Sequence, residues 1–265
     1  MNRQILEQLP ESYPWKEHFH YFEEIDSTNT RIKAMAKAGA PHGTVLIADR
    51  QTGGHGRMGR SFHSPGGMGI YMSILLRPNC APMELLHLTC AAAVAMCDAV
   101  EKAAGFRPGI KWTNDLVHQK RKLGGILTEL GLNTKGMVDY AVIGIGINCC
   151  QQLPDFAPDI QSIAGSLAMA AGTVIDRSKV AAAMMENLHS MSKTLFSGRA
   201  AMLECYRRNC ITLGKDISLV RGEEVRHGHA MDVDEAGALV VRFPDGHTEA
   251  VSSGEVSVRG MYGYI

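Results

Sequence analysis

The chain carries no excess of either charge: its 27 lysines and arginines are matched by 27 aspartates and glutamates. General nucleic-acid binders carry a one-signed basic field, so the balance argues against that class. No apolar run approaches the length of a bilayer span, and the opening "MNRQILEQLPESYPWKEHFHYF" is too polar and charged for a secretory signal. A cytoplasmic protein with no membrane role is therefore expected. Cysteine totals seven, an odd number, without the paired spacing of a zinc site, so a reduced, metal-free state at sulfur is expected. Cys90 and Cys97 fall in apolar helical sequence, and the adjacent Cys149 and Cys150 read as small buried hydrophobes before they read as a redox pair. Internal repeats, low-complexity tracts and long flexible linkers are absent too. What remains is an ordinary globular composition, 45% hydrophobic over 265 residues, which suits one large domain or a main domain with a small companion.

The elements follow from local pattern. In "YFEEIDSTNTRIKAMAKAGA" a short strand leads to a cap at Asp26 or Ser27 and a helix that stops near Gly39, because short polar side chains accept bonds from free helical N–H groups. "TVLIADRQ" reads as an apolar strand. "GIYMSILLRP" alternates, with Ile70, Met72, Ile74 and Leu76 on one face, which predicts a half-buried strand. Pro82 opens a long predicted helix to Gly105. "IKWTNDLV" and "LGGILTEL" flank the turn-like "HQKRK" and predict a hairpin, and "YAVIGIGINCC" supplies another strand. Val180, Met184, Leu188, Met191 and Leu195 form one helical stripe, so these methionines are core filling. Beyond about Leu213 short β-type runs separated by "DEAG" and "PDG" suggest a small barrel.

Four stations carry polar chemistry. "QTGGHGRMGR" places four glycines and two arginines within ten positions. Such a loop is compatible with a mobile linker, a nucleic-acid box or a wrap around an anion, since glycine allows positive φ and close backbone approach. It lacks the Gly-Lys-Ser/Thr of a Walker loop, which argues against a GTP- or ATP-hydrolysing switch. "KWTNDLVHQKRKLGGIL" sets an Asn-Asp pair near a strand end; Lys120 and Arg121 read as a solvated turn, whereas Lys122 abuts an apolar strand and is expected to face a ligand. "STN" is by itself a helix cap, and the glycines of "GIGIN" by themselves allow tight sheet packing.

Taken in order, "DSTN", "QTGGHGRMGR", "KWTND", "RKLGGIL" and "GIGIN", between Phe22 and Asn148, resemble the signatures of the biotin protein ligases. Those are S-T-N, Q-x-x-G-R-G-R-x-G-R, W-P-N-D, R-K-L-x-G-I-L and G-x-G-I-N; the C-terminal "GEVSVRG" resembles the family's closing strand. The resemblance implies an α/β (α+β) fold: a class II synthetase-like catalytic domain, mixed sheet with flanking helices, over residues 1–212, and a small SH3-like β-barrel over 213–265. It implies that biotin and ATP give biotinyl-5′-adenylate and pyrophosphate, and that the biotinyl group then passes to a lysine of the biotin carboxyl carrier domain of a biotin-dependent carboxylase.

Carried over by position, Ser27, Thr28, Asn29 and Gln51 would meet the ureido ring, and Gly54, His55, Gly56 and Gly125 would complete the biotin site. Arg57 and Lys122 would be the catalytic cations, bridging the biotin carboxylate and the α-phosphate. Arg60, Phe62, Asn114, Asp115 and Asn148 would serve ATP together with Arg57, and Asp115 would help hold Mg2+. Three positions depart from the pattern: His55 stands for the loop's first arginine, Met58 occupies its variable position, and Thr113 replaces proline. Rival readings are a lipoate or octanoate ligase of the same fold and a catalytically silent adenylate or RNA binder. Three helices do not fit before Phe22, so no repressor-type DNA binding is expected; a homodimer is compatible with the family.

Overall fold

The computed structural model describes residues 1–252 and 257–260. A short helix α1 (Asn2–Gln8) precedes strand β1 (Phe19–Ile25), helix α2 (Thr28–Lys37), strands β2 (Thr44–Gln51) and β3 (Gly69–Leu76), and helix α3 (Leu88–Ala104). Strands β4 (Gly109–Lys111), β5 (Asp115–His118), β6 (Arg121–Leu132) and β7 (Val138–Asn148) follow, then helices α4 (Leu167–Ala171), α5 (Arg177–Thr194) and α6 (Arg199–Asn209). Strands β8 (Asp216–Arg221), β9 (Glu224–Val233), β10 (Leu239–Arg242), β11 (Thr248–Val251) and β12 (Ser257–Gly260) close the chain. The first seven strands make one mixed sheet in the order β1-β2-β3-β7-β6-β5-β4, and the last five an antiparallel sheet in the order β11-β10-β9-β8-β12, the SH3-like unit. The stretch "GEVSVRG" starts outside the described residues; its last four form β12, paired to β8.

Both faces of the large sheet are covered, and this corrects the half-buried reading of β3. Ile70, Met72, Ile74 and Leu76 join the main core with α3 and α5, while Leu75 on the other face packs with Ile32 and Ala36 of α2. All eight β3 residues are buried as a result. The predicted single helix from Pro82 is a 3-10 turn over Pro82–Leu85 followed by α3. That segment, Pro82–Ala104, is 23 residues long and contains an 18-residue window with a mean hydropathy of 1.5, so it does reach the length and composition of a bilayer span. The fold uses it as core, with 72% of that window buried. The Val180 to Leu195 stripe lies in the core as predicted.

The expected strand through "IKWTNDLV" is instead a tight hairpin. β4 and β5 pair antiparallel with Lys111 opposite Asp115, so Trp112, Thr113 and Asn114 form the loop; the Trp112–Thr113 peptide is cis. This loop is held from behind: the Trp112 amide donates to Thr212 Oγ1 (2.9 Å), the Tyr206 hydroxyl to the Thr113 carbonyl (3.1 Å), and the Trp112 indole to the carbonyl of Gly237 in the β9–β10 turn (3.0 Å). Helix α6, the segment after it and a turn of the small sheet thus brace the loop that leads through Asn114 to Asp115. The next turn matches prediction: Gln119 and Lys120, at φ 46° and 67°, join β5 to β6 as a two-residue hairpin loop. All seven cysteines are free thiols, and burial pushes the Cys149 thiol pKa upward, which suits the inert packing role.

The N-terminal segment docks through aromatic and imidazole rings. The Tyr13 hydroxyl donates to the Met185 carbonyl at 2.7 Å, and the buried Trp15 meets the rings of His189 and His42 edge-on at 5.0 and 6.0 Å. His42 Nδ1 accepts from the Arg77 amide (3.2 Å), which requires a neutral ring protonated at Nε2. Burial lowers the pKa of His42 and of His189 from the ordinary 6.5, helped at His189 by Lys193 and His42. A histidine that the fold keeps neutral contributes stability fully present above its unfolded pKa and lost as pH falls through the folded one. The histidines' contribution to the unfolding free energy should therefore be level above pH 6.5 and decline below it, with a shallower decline in His42→Gln. Denaturant titrations across that range, giving identical pH slopes for both proteins, would remove His42 from the account.

Candidate active site

The site is built on the α2 side of the large sheet, where that helix leaves part of the face uncovered. Ser27 caps α2, its hydroxyl accepting from the Thr30 amide at 3.5 Å, so Thr28 and Asn29 enter the first turn and are buried against the sheet. The Asn29 amide donates to Glu129 Oε2 (2.8 Å), and its oxygen accepts from Ser73 (2.6 Å). Lys33 also grips Glu129 at 2.6 Å. Burial works to raise the Glu129 pKa, but the bonds from Lys33 and Asn29 outweigh it and hold the carboxyl below its usual range. Gln51, at the end of β2, accepts at Oε1 from the Thr28 amide (2.8 Å) and hydroxyl (3.0 Å) and donates to Ser64 (3.0 Å). The floor is a continuous polar network fixed from both ends.

The glycine-arginine loop folds over this floor as an irregular hairpin. Gly53 donates to the Asp26 carbonyl (2.8 Å), Gly56 to that of Arg60 (2.7 Å), and Phe62 to that of Gly54 (2.8 Å). These three N–H groups are engaged within the protein, and the loop's positive charge comes from Arg57 and Arg60. The left-handed positions are Met58 (φ 56°) and Gly59 (φ 71°), and Gly54 serves close approach instead: a Cβ there would lie 2.6 Å from both the Phe62 carbonyl oxygen and the Ser64 hydroxyl.

Loop and sheet enclose an open cleft of about 860 Å³. Of the predicted residues, Ser27, Thr28, Asn29, Gln51, His55, Gly56, Arg57, Arg60, Phe62, Asn114, Asp115, Lys122 and Gly125 line it. Two do not: Gly54 shapes the loop behind, and Asn148, buried at the end of β7, donates to the Gly165 carbonyl at 2.9 Å and accepts from Gln151. Arg57 donates to Asn114 Oδ1 (3.0 Å), while Asn114 is anchored on the Ile126 carbonyl (3.0 Å). Lys122 Nζ lies 2.6 Å from Asp115 Oδ1. Burial draws the Arg57 pKa down and Asp115 works against that, but guanidinium remains charged. Arg57, Arg60 and Lys122 face one lining carboxylate, Asp115, so among the described residues the cleft favours anions.

Residues missed by the sequence reading also line the cleft, notably Met58, Ser61, Ile126, Leu127 and the Gly144–Gly146 stretch. The two glycines did carry a signal, since they stand in "GIGIN". A side chain at Gly144 would strike the Asn29 amide, and one at Gly146 would meet the Phe62 ring at 2.5 Å. Each bare backbone patch seats a side chain of the cleft, Asn29 on one and Phe62 on the other.

Comparison with known proteins places the architecture first. Residues 21–148 match the model of the biotin/lipoate A/B protein ligase family, and residues 212–259 match the biotin protein ligase C-terminal domain. The bifunctional ligase/repressor BirA of Bacillus subtilis is 34% identical over 231 residues, spanning 87% of this chain and 71% of that one. The biotin acetyl-CoA-carboxylase ligase of Mycobacterium tuberculosis is 32% identical over 240 residues, 88% of this chain and 86% of the relative. The biotin protein ligase of Aquifex aeolicus, solved in complex with biotin and ATP, superposes with a TM-score of 0.78 at 29% identity, covering 91% of this chain and 98% of that one. The chain belongs to the biotin protein ligase family.

Proposed function

We propose that the protein activates biotin with ATP as biotinyl-5′-adenylate and transfers the biotinyl group to a lysine of a biotin carboxyl carrier domain. The observation that carries this reading is the placement of Arg57 and Lys122 around one cleft, each tied to a residue of a single motif, Asn114 and Asp115. A carboxylate attacking an α-phosphate brings two anions together, and charges fixed in advance lower that cost without any proton transfer. The polar floor of Thr28, Asn29 and Gln51 suits a cyclic urea, which both donates and accepts. A dithiolane ring offers these groups neither a donor nor an acceptor, and this favours biotin over lipoate.

Roles for the remaining residues follow from position. Phe62, seated over Gly146, offers a flat face for adenine, with Arg60 and Asn114 toward the phosphates. Asp115 is the one carboxylate in the lining among the described residues, which fits a magnesium ion arriving with ATP, since that ion keeps waters and takes one or two protein carboxylates. When bound it would offset phosphate charge beside Lys122. Asn148 acts from beneath the nucleotide through the Gly165 backbone. We place the boundary between catalytic domain and barrel at residues 212–213.

The test is pyrophosphate release from ATP that requires biotin and ignores lipoate, followed by labelling of a carrier domain. Release without biotin, or with lipoate in its place, would overturn the reading. His55 adds a narrower expectation. Its ring lines the cleft and meets the Gly53 carbonyl at 3.3 Å, a contact that grips less than a permanent guanidinium with its fork of donors would. His55→Arg should slow escape of biotinyl-adenylate several-fold. An unchanged or faster escape in a trapping assay would count against it.

A further inference from the structure

The outer face of the small sheet carries two histidines that the proposed reaction does not use. In β9 the sequence "RHGHA" sets His227 and His229 two residues apart, and a strand returns its side chains to one face at every second residue. Their neighbours settle which face that is. Ala230 is fully buried, and a Cβ on Gly228 would lie 2.5 Å from the buried Val241 side chain, so the histidines point outward. His227 is exposed, and the His229 side chain is 34% exposed. Both rings bond across to β8, where Ser218 and Asp216 are their register partners: His227 Nδ1 lies 3.1 Å from Ser218 Oγ, and His229 Nδ1 lies 2.8 Å from Asp216 Oδ1.

A carboxylate only accepts, so in the neutral His229 ring the proton sits on Nδ1 and the Nε2 lone pair is free. The Ser218 hydroxyl can accept the same bond from His227, which frees that Nε2 as well. A carboxylate behind an imidazole is the arrangement that metal-ligating histidines use to fix tautomer and raise basicity. We propose that His227 and His229 chelate one divalent ion of the nickel, copper or zinc class through their Nε2 atoms, with water completing the coordination. Strand spacing roots the two rings about 6.8 Å apart. Nitrogens bound at about 2.1 Å from one ion stand within about 4 Å of each other, so each ring tip leans inward by little more than about 1 Å. Imidazole pairs select such ions over magnesium, which separates this site from Asp115 in the cleft. Arg242 stands opposite His229 on β10, and the Asp216 carboxylate bonded to the ring offsets its charge. Among the described residues no three histidine, cysteine or acidic side chains converge on one point, so no larger cluster competes for the ion.

The test is calorimetric titration of Ni2+ into the full chain, with Mg2+ in excess to fill any carboxylate site. Nickel is the probe because thiolates draw zinc and cuprous copper, and the chain holds seven free thiols. One saturable site per chain is expected. His227→Gln and His229→Gln should each weaken it about a hundredfold, since the second imidazole otherwise binds as an intramolecular ligand. Asp216→Asn, which keeps both rings, should weaken it by about ten- to a hundredfold. His20→Gln, an exposed histidine on β1, should change nothing. Nickel should also raise the melting temperature of the wild-type chain and leave that of the double His227→Gln, His229→Gln variant where it was. No saturable nickel site in the wild-type chain overturns the proposal, as does undiminished affinity in the double variant. A single substitution that leaves the affinity unchanged overturns it too, because the two imidazoles would then be acting separately.

Discussion

Lys122→Gln should slow biotinyl-adenylate formation by about two to three orders of magnitude, the usual cost of removing one preorganised charge from a transition state. In the resting protein the ammonium sits 2.6 Å from Asp115, with the two side chains 31% and 17% exposed. A pair only partly shielded from water adds about 1 kcal/mol to stability, and Arg57 still faces Asp115 once Lys122 is gone, so the fold should survive. The chemistry should not. At an effective dielectric near 20, two unit charges about 4 Å apart interact by about 4 kcal/mol, and glutamine deletes one such attraction just where two anions must meet. It also leaves Asp115 facing the incoming phosphates with less compensation, so ATP binding should weaken as well. Lys122→Arg, which keeps the charge and changes its shape, should recover part of the rate. Single-turnover adenylate formation at saturating substrate decides the matter: a wild-type rate in Lys122→Gln removes this residue from catalysis, and a lost rate accompanied by a collapsed melting temperature makes its role structural.

Most of this site was legible because its chemistry is concentrated in short, contiguous motifs. "STN" announces its own helix cap, and "RKLGGIL" puts a lysine at the mouth of an apolar strand, so both could be placed before any coordinates. The polar floor was less visible. Ser73 and Glu129 lie in strands that read as apolar, and their function is to fix Asn29 from 44 and 100 residues away. Pairing at that distance leaves no local trace. The same limit explains β3: alternation reports one buried face, and only the arrival of α2 shows that the other is buried too. "KWTND" was misread as strand because Trp112 and Thr113 favour extended backbone locally. What bends it into a hairpin loop is bracing by Tyr206, Thr212 and Gly237, three partners beyond the reach of any short window.

Gly144→Ala should be the most damaging one-carbon change in the molecule's polar floor. Gly144 lies opposite Ser73 on β3 and Leu127 on β6, at the centre of the sheet, and the Asn29 amide rests directly on it. An added methyl would sit 2.6 Å from the amide carbon and 2.7 Å from its nitrogen, well inside contact distance. The amide has no easy retreat, because Glu129 holds its nitrogen at 2.8 Å and Ser73 its oxygen at 2.6 Å. Overpacking of this kind costs about 1 to 3 kcal/mol, and displacing Asn29 leaves buried polar partners unmet at a similar cost. The melting temperature should fall by roughly 2 to 4 °C per kcal/mol lost. Biotin affinity should drop by about tenfold or more, since the amide and the Thr28–Gln51 pair share one network through Ser73. Gly125→Ala is the control: its methyl would lie 3.3 Å from Lys122 Nζ and 3.4 Å from Asp115 Oδ1, the far ends of side chains that can yield. That variant should keep its stability and lose its rate. Calorimetric titration of biotin into both, with thermal melts alongside, separates the two effects; a Gly144→Ala protein that melts and binds biotin like the parent would mean that Asn29 is free to move, and the rigid floor would have to be abandoned.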